Sequence, residues 1–331
     1  ESNILTAVKR SAGGTDARMY RRFRLIVNAD DFGYCPARNR GILECFQAGA
    51  ISSVSLLVNG IAVKDAIGIA KGKGIALGLH LNLTEGHPCS NGSTSLASSN
   101  GFMLGKIGFR RALRQGLVRY EHIADEIGAQ IIRFRELCGH LPTHVDGHQH
   151  VHVLPGVREI FAESLKKYRI ERTRLPMESN IAQCNWVQPK ERLEFYEEIV
   201  KDCRAAKEIF NKADIRYPHC FVGMTTMGSD MNISRLQERL ISTIENYHRD
   251  NEKNESTSAK TQDAGPETVI TCELMVHPGY PSSPGVGGCG QGPDDFSCSP
   301  DRRHEMDILA SSDMFHFYKS FNIKMASFQD I

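Results

Sequence analysis

The stretch Arg24-Leu-Ile-Val-Asn-Ala-Asp-Asp31-Phe-Gly33 sets how the rest of the chain is read. Residues 25–27 predict a short buried strand, and it runs straight into two adjacent acids. Paired carboxylates at the mouth of a buried strand are costly unless a cation or hydrogen bonds compensate them. A second such place is Ile75-Ala-Leu-Gly-Leu-His-Leu-Asn-Leu-Thr84. Alternation along a strand puts His80 and Asn82 on one face, with Leu79, Leu81 and Leu83 on the other. The third is Thr143-His-Val-Asp-Gly-His-Gln-His-Val-His152, where His144, Asp146, His148, His150 and His152 stand at every second position. In a straight strand the outer members would lie more than about 20 Å apart, too far for one ion. Gly147 is the expected break, and it would leave His148 at the carboxyl end of its strand. Three strands thus deliver Asp, His and His at their carboxyl ends. That ligand set leaves positions open for water and substrate, as a catalytic ion requires.

Around these clusters, apolar runs and helical spacings alternate. Helices are expected at 36–48, 63–71, 122–138, 156–168, 190–210, 233–248 and 301–319. Further strands are expected at 53–58, 77–83, 173–176, 219–222 and 269–277. This alternation predicts a parallel sheet with helical crossovers and about seven strands. Polar residues at several carboxyl ends favour a closed or nearly closed (β/α) barrel over a doubly wound sheet. Residues 22–331 are read as one domain, 1–21 as a flexible leader and 249–266 as a disordered, charged insertion. The loops 84–105 and 279–293 leave the His80 and His277 strands directly and are expected to cover the site.

Composition narrows the partners. Apolar residues make up 40% of the chain and charged ones 24%, ordinary for a globular protein. A formal charge of +1 argues for neither nucleic acid nor a membrane surface as partner. No stretch approaches the roughly 20 apolar residues of a membrane span. The ten cysteines include no Cys-x-x-Cys pair, which suits reduced thiols in the cytoplasm. Asn82-Leu-Thr84 is formally a glycosylation sequon, but a sugar there would stand beside His80.

Four motifs in order carry a resemblance: Asn28-Ala-Asp-Asp-Phe-Gly33, Gly78-Leu-His-Leu-Asn-Leu-Thr84, the histidine run, and Met275-Val-His-Pro-Gly279. They resemble the YdjC family of carbohydrate deacetylases, which includes the chitooligosaccharide deacetylases. The likeness runs from about 23 to 328, interrupted at 249–266. Ser52-Ser-Val-Ser-Leu-Leu-Val-Asn-Gly60 and Phe296-Ser-Cys-Ser299 make it especially similar to the eukaryotic members.

The resemblance implies a seven-stranded barrel of the polysaccharide deacetylase type. It also implies removal of an N-acetyl group from an acetylated amino sugar or short oligosaccharide, with release of acetate. By motif, Asp30 corresponds to the general base, and Asp31, His80 and His148 to the ligands of one divalent metal ion. The family implies Mg²⁺, while two imidazoles and a carboxylate suit Zn²⁺ or Co²⁺ at least as well. His277, at the end of the last strand, is the candidate acid for the leaving amine. Arg174 is expected to steer Asp30 or bind substrate. His144, Asp146, His150 and His152 are read as outer groups that hold His148 in one tautomer. Trp186 and Tyr280 are candidate sugar-stacking rings, and the chain is compatible with a homodimer.

Rival readings meet specific obstacles. Other barrel amidohydrolases open with His-x-His on the first strand, where this chain has Asp-Asp. A phosphatase would need more bridging carboxylates and a basic clamp. A catalytically inactive carbohydrate-binding protein on the same fold would be marked by substitution at Asp30, Asp31, His80 or His148, and all four are present.

Overall fold

The structure, a computed structural model, describes residues 23–92, 94–257 and 269–331. The expected leader therefore lies outside the described residues. Among the described residues there are seven strands: β1 (Phe23–Phe32), β2 (Ser53–Leu56), β3 (Leu77–Leu81), β4 (Val145–Gly147), β5 (Cys220–Val222), β6 (Ile270–Val276) and β7 (Lys324–Met325). The helices are α1 (Pro36–Gln47), α2 (Val63–Ala70), α3 (Gly105–Arg114), α4 (Tyr120–Cys138), α5 (Val157–Tyr168), α6 (Lys190–Lys212), α7 (Ile233–Thr257), α8 (Asp295–Cys298), α9 (Asp301–Leu309) and α10 (Ser312–Ser320). Residues 249–257 of the expected insertion continue α7, and 258–266 lie outside the described residues.

The strands follow the order β4-β3-β2-β1-β6-β5, all parallel, with β7 alongside the first residues of β1. Parallel neighbours need crossovers, and helices supply them, so the carboxyl ends of the strands gather on one side. The sheet curls without fully closing. Between its outer strands β4 and β5 lies the segment expected as a strand at 173–176. Among the described residues it makes a single bridge, Thr173 with Val145, and Arg172 just before it makes another with Arg216. Pro176 shortens any ladder there, because proline has no N–H to donate. The seventh strand is β7 instead.

Both faces of the sheet are covered. Leu25, Val27, Val54, Leu79, Val145, Val222 and Leu274 belong to one apolar cluster, joined by helix residues such as Ile42, Ile127, Phe161 and Leu240. Two local features aim the site. Gly147 ends β4, and a Cβ there would sit 2.5 Å from His152 Nδ1, so the chain folds back tightly at that residue. The pairing of β1 with β2 shifts register between Ala29 and Phe32, and Asp31 takes a left-handed φ of 65°. In a regular strand Asp30 and Asp31 would face opposite ways; this bulge turns both toward the carboxyl-end cavity.

Candidate metal-binding and catalytic site

β1 delivers Asp30 and Asp31, β3 delivers His80, and the turn after β4 delivers His148. All four line a cavity of about 550 Å³ at the carboxyl ends of the strands. The donor atoms of Asp31, His80 and His148 form one compact group. His148 Nδ1 lies 3.3 Å from both Asp31 Oδ1 and His80 Nε2, and His80 Nε2 lies 3.6 Å from Asp31 Oδ1. Ligands at about 2.1 Å around a tetrahedral ion stand about 3.4 Å from one another, so the spacing fits.

The hydrogen-bond accounting points the same way. His80 Nδ1 lies 2.7 Å from Asp146 Oδ1, a bond that requires the proton on Nδ1. The Nε2 lone pair then faces the carboxylates of Asp30 and Asp31, at 3.8 and 3.6 Å. Asp31 Oδ1 is buried with no hydrogen-bond partner. Electron-rich atoms converging in this way call for a cation. Without one, a proton on His148 serves. Burial disfavours its charge, but Glu85 and Asp31 on either side outweigh that and hold its pKa well above the usual histidine value. Burial likewise opposes ionisation of Asp31, yet the hydrogen bond and charge of the facing His148 outweigh it and hold its carboxyl well below the usual range. A second grouping, Asp30 with His80 and Asp146, also has metal-ligand spacing. Its cation is already present, because Arg174 Nη2 is 2.6 Å from Asp30 and 3.1 Å from Asp146.

Arg174 is fully buried and does not line the cavity. It clamps Asp30 with two bonds of 2.7 and 2.6 Å and reaches Glu273 through Nε at 2.7 Å. The geometry sets Arg174 against Asp30 and outside the cavity lining. Asn28 adds a 2.8 Å bond to Asp30 Oδ1. Burial pushes the Glu273 carboxyl up to about 8, against the pull of Arg174.

His277 lines the cavity with Nε2 3.9 Å from Asp30 Oδ2. Its ring stands edge-on to Phe296 and its Nδ1 has no partner. Desolvation pushes the imidazole down to about 3.

The outer members of the histidine run do not hold His148, contrary to expectation. The groups around the His148 ring are Asp31, His80 and Glu85, the last 3.2 Å from Nε2. Asp146 instead orients His80. His144 reaches Ser55 at 3.1 Å and stacks on Phe328. His152 Nε2 lies 3.0 Å from the Arg174 carbonyl. His150 lines the cavity from a left-handed turn, with Nδ1 unpartnered. The reason is geometric: the chain leaves the strand at Gly147, so alternation stops applying beyond it.

Several residues were missed. Ser55 and Asn28 lie on alternating polar positions of buried strands, and Glu273 is a charge in the middle of an apolar run; both signals were available. Glu85 lies in a loop with no pattern of its own. Trp186 donates to the Thr225 carbonyl and Tyr280 to Glu44, and neither lines the cavity. The aromatic rings lining the cavity are Tyr34, Phe195, Tyr196 and Phe296.

With this geometry in place, comparison with known proteins is informative. A family model described as YdjC-like protein matches residues 24–320. A Xenopus laevis protein named carbohydrate deacetylase is 42% identical over 313 residues, spanning 94% of this chain and 98% of that protein. An Escherichia fergusonii protein named chitooligosaccharide deacetylase is 41% identical over 139 residues, 42% of this chain and 54% of its own. A crystal structure from Enterococcus faecalis V583, of a protein named for cellobiose-phosphate cleavage, superposes with a TM-score of 0.62 at 22% identity. That match covers 93% of this chain and 98% of the other, and it speaks to the fold alone.

Proposed function

Because the chain belongs to the YdjC-like family, we propose that it is a metal-dependent hydrolase acting on acetylated amino sugars or short oligosaccharides, removing the N-acetyl group and releasing acetate. The observation that carries this reading is the convergence of Asp31, His80 and His148 beside Asp30 in an aromatic-walled cavity. Those three residues would hold a divalent ion, which would supply Lewis acidity for an amide carbonyl and for water. The donor set suits Zn²⁺ or Co²⁺ as well as the Mg²⁺ of the resemblance.

The chain's own residues do the rest. Asp30, aimed by Arg174 and Asn28, accepts the proton of the attacking water. The leaving amine must receive a proton, and in this reading His277, whose Nε2 lies 3.9 Å from Asp30 Oδ2, passes it on. Being neutral at the start, His277 is free to take that proton. Phe195, Tyr196 and Phe296 offer apolar faces to pyranose rings.

The same reading takes the fold as a seven-stranded deacetylase-type barrel, supported by the bridges that span the gap between β4 and β5. It takes the location as cytoplasmic, in keeping with ten free cysteines and a fully buried Asn82. Among the described residues, no helix is long and apolar enough to cross a membrane. The test is acetate release from N-acetylated mono- and disaccharides by metal-loaded protein, beside Asp30→Asn and a chelated sample. Release lost in both controls supports the reading. No release from any sugar with metal bound would reject it in favour of a binding protein.

A further inference from the structure

One hydroxyl lies behind both halves of the site. Ser55, on β2, is fully buried, as are Asn28, His144 and Asp146 around it. Its Oγ accepts from Asn28 Nδ2 at 2.8 Å, donates to Asp146 Oδ2 at 2.7 Å, and lies 3.1 Å from His144 Nε2. A hydroxyl has one proton and two lone pairs. Asp146, ionised beside Arg174, can only accept, so the Ser55 proton goes there and His144 Nε2 must carry its own. His144 Nδ1 is then an acceptor, 3.1 Å from Thr143 Oγ1. The Thr143 hydroxyl also lies 3.0 Å from the Leu77 carbonyl, to which the Thr143 backbone N–H donates at 2.9 Å.

The protons therefore run in one direction. His144 donates to Ser55, and Ser55 to Asp146, whose other oxygen receives the His80 proton. Asn28 directs one amide proton to Ser55 and the other to Asp30 Oδ1, each at 2.8 Å. The Ser55 oxygen is thus fully used, with no alternative partner needed. Room for His144 in this chain exists because residue 78 is glycine: a Cβ there would fall 2.2 Å from the imidazole Cε1.

We propose that Ser55 is a positioning residue that ties Asp30 to His80, through Asn28 on one side and Asp146 on the other. This rests on the roles of Asp30 and His80 given above. Its hydroxyl fixes which Asp146 oxygen meets His80 and keeps the His80 Nε2 lone pair directed at the ion site. Losing it leaves three buried polar groups short of a partner, and Asp146 free to rotate toward Arg174.

The experiment compares wild type with Ser55→Ala and Ser55→Cys. Co²⁺ alone is titrated into metal-stripped protein, followed by kcat and KM on an N-acetylated disaccharide and by thermal unfolding. Removing an outer partner of a metal-binding histidine costs about 10- to 100-fold in affinity, and Ser55, one bond further out, is expected near the lower figure. The expected result for Ser55→Ala is about tenfold weaker Co²⁺ binding, with kcat reduced and KM within about twofold of wild type. If Ser55→Ala does not fold, Ser55→Cys carries the test, since a thiol keeps the shape but donates weakly. A folded variant with lower thermal stability but unchanged Co²⁺ affinity and kcat would overturn the proposal, leaving Ser55 as packing. Failure of the wild type to release acetate would sink the proposed reaction, while the Co²⁺ titration would still decide the role of Ser55. Absence of Co²⁺ binding by the wild type would overturn both.

Discussion

The two halves of the site are built differently. His80, Asp30, Asp146 and Asn28 stand on strands, fully or almost fully buried, and each is held by at least one short bond to a neighbouring strand or to Arg174. Asp31, His148 and Glu85 stand on a bulge, a turn and a loop. Asp31 and the two residues after His148, Gln149 and His150, take left-handed backbone angles of 65°, 55° and 59°. Such conformations cost about 1–2 kcal/mol each for residues other than glycine, and they persist only where the surroundings enforce them. The Asp31 contact to Arg38 is long, 3.4 Å, and the Glu85 side chain is 22% exposed. The difference teaches how such a site gains both accuracy and access. The strand-borne half is set by short buried bonds, whereas the turn-borne half has longer contacts and more exposure.

The largest effect should separate the two adjacent acids. Asp30→Asn is expected to lower kcat by about 10²- to 10⁴-fold while leaving metal affinity within a few-fold of wild type. Asp31→Asn should instead weaken metal binding first. Acetate-release kinetics and metal titration of the two variants check this, and a shared phenotype would erase the division. Next comes stability. Arg174→Met leaves Asp30, Asp146 and Glu273 without their common cation, and breaking a buried pair costs about 3–5 kcal/mol. Glu85→Gln, on the turn-borne half, should change stability by less than about 1 kcal/mol. Denaturant unfolding of the metal-free proteins measures both, and equal losses would contradict the contrast.

The carboxylates behind the two histidines sharpen the comparison at a smaller scale. Asp146→Asn and Glu85→Gln each remove an outer partner, within a range of about 10- to 100-fold in metal affinity. Asp146→Asn should fall toward the upper end, because its bond to His80 is short and fully buried. Glu85→Gln should fall toward the lower end. Calorimetric titration with Zn²⁺ ranks them, and the reverse order would show that the loop side dominates binding.

The dependence on pH reads the buried histidines themselves. Burial pushes His144 down to about 3 and His152 down to about 4. Both are neutral when folded, whereas in the unfolded chain they titrate near the ordinary value of about 6.5. The unfolded state therefore binds more protons below that value, and stability falls as pH falls. The expected loss between pH 6.5 and 5 approaches about 1.4 kcal/mol per pH unit for each histidine. Unfolding free energy of the metal-free protein across that window tests it; a flat profile would mean that one or both rings are charged in the fold.

How much of this could be read beforehand differs from residue to residue. Alternation and apolar runs placed His80, His148, Asp30 and His277 at strand ends, and Gly147 marked where the fourth strand stops. Those signals are local: a strand's period and a glycine's freedom act over a few residues. Partners are not local. Arg174 meets Asp30 across 144 positions, and Ser55 meets Asp146 across 91. No spacing in the chain specifies such pairs, because they depend on strand order and on the register of each ladder.

The sequence by itself therefore determined a strand–helix alternation with acids and imidazoles at the carboxyl ends, and so the chemistry on offer. Only the tertiary structure decided that the bulge at Asp31 turns both acids inward. It alone decided that Asp146 serves His80 while Glu85 stands beside His148, and that Arg172 and Thr173 make single bridges at an incompletely closed sheet. The physical reason is that side-chain type and period are written along the chain, whereas the neighbour that satisfies a buried charge is chosen by packing in three dimensions.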